Sequence, residues 1–200
     1  MDALADTRRW LENAVIGLNL CPFAKAVHTK GRIRWVLCEA SDTEGLLHTL
    51  VQELQHLASA DPETTDTTLI VHPRVLADFL DYNDFLDVAD AALIELNLEG
   101  VLQVASFHPD YQFADTAPDD IENCSNRSPY PTLHLLREAS IDAAVAAFPD
   151  AEDIFEVNQA RLQALGWAGW QALMQARNGG QRAPETSDPS EAPEAGKAGG

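Results

Sequence analysis

Three short runs constrain this chain more than any other feature: the Ile33 to Leu37 stretch, Thr67 to Val71, and Val101 to Phe107. In the first, Ile33, Trp35 and Leu37 alternate with Arg32, Arg34 and Val36 after a turn at Gly31, which is strand periodicity. The second and third are β-branched and apolar, and each is stopped by a His-Pro pair, His72-Pro73 and His108-Pro109. Between the runs the period changes. From Asp42, Leu46, Leu47, Leu50, Val51, Leu54 and Leu57 recur at helical spacing. A second helical segment, capped by Asn83 or Asp84, carries Phe85, Ala89, Leu93 and Leu96 and ends at Gly100. Crossovers of that length join parallel strands, with right-handed connections. The expected class is therefore α/β: a small three- to four-stranded, mainly parallel sheet built from a β-α-β-α-β unit. It should be flanked by an N-terminal helix over about Asp6 to Leu18 and by C-terminal helices.

The C-terminal reading is a short helix capped by Ser128, a second after Ser140 with Ile141, Val145 and Phe148 inward, and a last one from Asp150 or Asp153, interrupted at Gly166. Residues 1–177 read as one globular domain. Residues 178–200, rich in Gly, Pro, Glu, Ser and Ala without periodicity, read as a disordered tail.

Charge narrows the function. Thirteen Lys and Arg against 32 Asp and Glu leave a net charge of −19, which argues against nucleic acid or an anionic membrane as partner. No apolar run reaches the roughly 20 residues needed to span a bilayer. The N-terminus lacks the pattern of a secretory signal, and three widely spaced Cys make no disulfide framework. The expected location is the cytoplasm. Two windows hold no acid: Asn13 to Cys38, with Lys25, Lys30, Arg32 and Arg34, and Asn123 to Arg137, with Arg127 and Arg137. In so acidic a chain they suit a small anionic ligand; the alternative is that they offset neighbouring acids.

The polar segment from Ala105 to Glu138 is too Pro-rich for core and long for a loop, and long ordered loops are often functional. Read as a helix, its end places Tyr130, His134 and Glu138 four apart on one face, with Arg137 beside His134. His134, His108, Cys21 and Glu138 are then candidate catalytic groups. Arg127, Arg137, Tyr111, Tyr130 and Lys25 are candidate substrate-binding groups. His108, His134 and Asp115 are candidate ligands for a divalent metal. Cys21, before Pro22, would be a helix cap with its thiol acidified by the helix start and Lys25; the alternative is a packing thiol. His72, His108 and the Cys38-Glu39 strand end would meet at one sheet edge. The competing reading of the loop is a polar network that ties it to the domain.

Three motifs, LNLCPFA, FHPDYQFAD and NRSPYPTLHLLRE, together resemble those of a bacterial family of domains of unknown function over most of residues 1 to 175. The resemblance implies no reaction. It puts emphasis on Cys21, His108, Tyr111, Arg127, Tyr130, His134, Arg137 and Glu138, and not on His72. The leading expectation is a small enzyme acting on a small anionic substrate through a His/Arg/Tyr site, metal-assisted or not. The alternatives are a non-catalytic metal- or anion-binding module and a partner-docking protein. Substrate and oligomeric state are not legible.

Overall fold

Two acidic caps start the helices that link the first three strands. Oδ1 of Asp42 accepts from the Gly45 N–H at 2.8 Å and opens α3, Thr43–Ser59. Oδ1 of Asp78 accepts from the N–H groups of Leu80 and Asp81 and opens α4, Phe79–Glu95. The second cap lies earlier than the expected Asn83 or Asp84. The extra turn brings Tyr82 under the sheet, fully buried. The computed structural model describes residues 2–147 and 154–175. Its other elements are α1 (Ala3–Trp10), a π-helical turn (Leu11–Ile16), α2 (Ala24–Thr29), β1 (Ile33–Leu37), β2 (Thr67–Val71), β3 (Leu102–Phe107), a 3-10 turn (Ile121–Ser125), β4 (Thr132–Arg137), α5 (Glu138–Ala147) and α6 (Ile154–Gln175).

The strand order is β1-β2-β4-β3. β1 and β2 pair in parallel, while β4 runs antiparallel to both of its neighbours, β2 and β3. Three of the four strands thus share one direction, as expected of the β-α-β-α-β unit. β4 is the correction: a helix was expected after Ser128. The segment Thr132–Arg137 also has a period of two, with Leu133 and Leu135 fully buried on one face and His134 on the other. Helical and strand patterns are hard to separate in an apolar run this short. Tertiary context decides it, because β2 and β3 each present an open edge that only a returning strand can satisfy.

Side chains alternate across the sheet, so its two faces have separate cores. On one face Ile70, Leu133 and Leu135 pack under α3 and α4, against Leu46, Leu50, Leu54 and Tyr82. Each fully buried leucine there contributes roughly 1.5–3 kcal/mol. On the other face Ile33, Trp35 and Phe107 meet Trp10, Leu11, Val15 and the α6 residues Leu162 and Trp170. The π-helical turn follows α1 directly. Its wider winding keeps Trp10, Leu11, Ala14 and Val15 on the sheet side through the change of pitch. Gly166, at φ 64° and ψ 172°, breaks α6 where an interruption was expected. On α5 the inward position assigned to Val145 is corrected, since it is 46% exposed. Phe148, the Asp150 or Asp153 start and the 178–200 tail lie outside the described residues. Among the described residues no helix is long and apolar enough to cross a membrane.

Candidate functional site

The sheet face under α1, α2 and α5 is not fully sealed. Neither α2 nor α5 contributes a buried residue, although both carry apolar side chains toward the sheet. Alanines occupy the places where larger groups would fill the gap: Ala105 on β3, Ala24 on α2 and Ala144 on α5. What remains is a cavity of about 610 Å³, walled largely by apolar groups that include Leu11, Val15, Phe23, Leu69, Phe107 and Ile141. That volume falls within the range of small-molecule sites. It opens to solvent beside the exposed residues Ala26 and Lys30.

His134 lies on the floor of this cavity, in mid-strand on β4, between Leu69 of β2 and Ala105 of β3. Its orientation is set by a short relay. The Thr67 hydroxyl lies 2.6 Å from the Leu135 carbonyl and 2.7 Å from Nε2 of His134. A carbonyl can only accept, so the single hydroxyl proton goes to Leu135 O. Nε2 must then donate to Thr67. The imidazole is therefore the Nε2–H tautomer, and Nδ1 is left as a lone-pair acceptor without a hydrogen-bond partner among the described residues. Burial holds its pKa down at about 4, so the ring is neutral at pH 7. Phe107 flanks the ring, centroid to centroid 5.8 Å.

Cys21 lines the same cavity. The backbone N–H groups of Phe23 and Ala24 do point at its sulfur and favour thiolate, as a cap should. Burial outweighs them and raises the thiol pKa, so the expectation of an acidified nucleophile is corrected. Lys25 is exposed and does not line the cavity; Lys30, one helical turn on, does.

Most of the remaining candidates serve the fold. The Arg127 guanidinium donates to the carbonyls of Tyr111 (3.0 Å) and Pro118 (2.6 Å) and lies 5.7 Å from the Trp167 ring. Arg137 lines the end of the cavity, but its guanidinium reaches across the sheet edge, where Nη2 donates to the carbonyls of Leu57, Ala60 and Thr65 at 2.6–3.1 Å and ties the end of α3 to the loop before β2. The two arginines thus form no anion clamp. The Tyr130 hydroxyl donates to Asp6 rather than meeting His134, and Glu138 starts α5. Because Thr132–Arg137 is a strand, the Tyr130–His134–Glu138 stack does not exist. Tyr111 packs its ring on Phe79 and Phe113, and Asp115 is exposed at φ 64°. The network reading of the loop holds for these residues.

His108 and His134 lie on opposite faces of the sheet, so the expected shared pocket is corrected. His108 follows Phe107, and the alternation that turns Phe107 toward the cavity turns His108 toward α4. There it meets His72 around Tyr82, with ring centroids 5.1 and 5.8 Å from the tyrosine. The two strand ends do converge, as ties for the β2–α4 turn. His108 Nε2 donates to Leu76 O and His72 Nδ1 to Val75 O, holding Leu76 at φ 58°. Cys38 instead contacts Thr49. Among the described residues no group of three or more His, Cys, Asp or Glu could hold a metal ion. The trio His108, His134 and Asp115 does not converge, so the donors present do not fit the expected metal.

Sequence reasoning missed Thr67, Gln103, Ala105 and Ser140, all on the cavity wall. The alternation of Leu133 and Leu135 puts His134 on the opposite face, but only the strand register sets Ala105 beside it and Thr67 within reach of its ring. No curated protein and no solved structure matches the chain. Residues 2–172 match the family described as "Protein of unknown function (DUF1415)", and the chain belongs to that family.

Proposed function

We propose that this protein binds a small, largely apolar molecule in the sheet-face cavity and holds it by a hydrogen bond to Nδ1 of His134. The observation that carries the reading is the Leu135 O–Thr67–His134 relay, which makes Nε2 the donor to Thr67; with burial keeping the ring neutral, Nδ1 is an acceptor that faces the cavity without a partner among the described residues. Nδ1 faces the cavity, where a ligand hydroxyl or N–H can take the place of water in a hydrogen bond worth about 0.5–1.5 kcal/mol net. Catalytic use of the same groups draws less support. A base with a pKa near 4 is poorly matched to neutral pH, and a thiol with a raised pKa is a weak nucleophile. The reading thus favours a binding module over an enzyme. The three unpaired cysteines suit a reducing cytoplasm.

The test uses para-phenylphenol, a neutral apolar compound with one hydroxyl donor. At about 100 times its Kd it should stabilise the folded protein by about 2.7 kcal/mol, raising Tm by roughly 5–10 °C. Ala105→Trp, which fills the cavity opposite His134, should abolish the shift. An equal shift in both proteins, or none in the wild type up to the solubility limit, contradicts the proposal.

A further inference from the structure

The charged groups around the cavity are not spread evenly. They collect at one end, where β1 and β2 begin and β4 finishes. Lys30, Arg32, Asp66 and Arg137 line that mouth with Ser140. Arg32 pairs with Glu63 and Arg137 donates to backbone carbonyls, while Asp66 accepts from the neutral Ser140 hydroxyl at 2.6 Å and keeps its charge, so three basic side chains face one acid in the lining. Lys30 is exposed, lines the cavity and has no ion-pair partner among the described residues. It belongs to the acid-free window Asn13 to Cys38, whose middle part wraps the cavity, in a molecule of net charge −19.

From these observations we infer that the ligand is an amphipathic organic anion, its apolar body inside the cavity and its carboxylate at the mouth on Lys30. This rests on the binding role proposed for the cavity and adds the class of molecule. The orientation follows from desolvation: a carboxylate drawn into the apolar interior would lose water without a paired cation, whereas at the mouth it keeps both water and Lys30. The spacing sets the size of the body. His134 pairs with Leu69, and the mouth begins one register row earlier on the same face, at Ile33, Thr67 and Leu136. Two strand residues span roughly 7 Å. The ligand therefore carries a donor and an acid separated by at least that distance, across one or two aromatic rings or an equivalent aliphatic stretch.

Three probes separate this inference from the reading beneath it: para-(hydroxyphenyl)benzoate, which has both groups, para-phenylbenzoate, which lacks the hydroxyl, and para-phenylphenol, which lacks the acid. Binding is followed by calorimetry on wild type, Lys30→Glu, Lys30→Gln and, as a control outside the cavity, Lys25→Glu. Lys30→Glu should weaken both carboxylates about five- to tenfold, with Lys30→Gln in between, and leave para-phenylphenol within twofold. Lys25→Glu should change none of the three by more than about twofold, because its charge is screened by solvent. If para-phenylphenol binds but Lys30→Glu and Lys25→Glu act alike on the carboxylates, the anion inference is overturned and the cavity reading stands. If none of the three binds wild type, the cavity reading itself has failed.

Discussion

Removing the Thr67 hydroxyl isolates the relay that orients His134. Thr67→Val keeps the side-chain shape and deletes both hydrogen bonds, to Leu135 O at 2.6 Å and from His134 Nε2 at 2.7 Å. Each is worth about 1 kcal/mol, and the Nε2–H left without an acceptor in an apolar setting adds about 1–3 kcal/mol. The methyl gained in place of the hydroxyl returns about 1 kcal/mol. The net expectation is a loss of about 2–4 kcal/mol, read as a lowered urea midpoint with unchanged m and as a Tm drop of roughly 4–16 °C. Thr67→Ser keeps the hydroxyl and should lose only about 1 kcal/mol. In a His134→Phe background the cost of Thr67→Val should shrink by at least about 1 kcal/mol, because its partner is gone. A loss below about 0.5 kcal/mol, or the same loss in both backgrounds, would refute the relay.

Acid should destabilise the protein through His72 and His134, both held at a pKa of about 4 by burial against an ordinary value near 6.5. The unfolded chain binds protons first, so this stability is present above pH 6.5 and is lost as pH falls toward 4, about 2 kcal/mol per histidine between pH 7 and pH 5; urea curves at the two values measure it. His72 has the harder task, since its Nε2 is buried without a partner and would carry a proton with no acceptor; His72→Gln should remove about half of the pH dependence. Arg137→Met should cost about 2–4 kcal/mol by thermal unfolding, because it removes the donor to the carbonyls of Leu57 and Ala60 at the end of α3 and of Thr65 in the loop before β2. Tyr82→Phe should cost about 2–3 kcal/mol in the same assay, since the hydroxyl donates to Thr132 O at 2.9 Å and accepts from the Phe107 N–H at 3.2 Å.

The first three strands and both linking helices were legible because their patterns are long or bounded by strong stops: Asp42, the His-Pro pairs, and leucines at helical spacing through Leu57. The fourth strand was not. Leu133 and Leu135 fit a period of two, but Tyr130, His134 and Glu138 fit a helix equally well, and only the open edges of β2 and β3 choose between them. The misreading propagated to the site, because a helix would have stacked His134 on Tyr130, whereas the strand places it beside Thr67 and Ala105. Of the residues singled out, Cys21, His134 and Arg137 line the cavity. His108 was assigned the wrong face, since the parity of side chains along β3 depends on register that the sequence does not display. Arg127 and Arg137 showed their charge but not their partners: carbonyl oxygens carry no mark in a sequence.

Long-range ¹⁵N–¹H NMR of His134 at pH 7, recorded during a titration with para-phenylphenol, tests the cavity site most directly. Nε2 should carry the proton and Nδ1 should resonate as an unprotonated nitrogen in the free protein. On saturation the Nδ1 resonance should move as it accepts the phenol hydroxyl, with Nε2 little changed because Thr67 still holds it. An Nδ1 that is protonated at the outset, or one that stays fixed while the compound saturates the protein, would contradict the assignment of this cavity as the binding site.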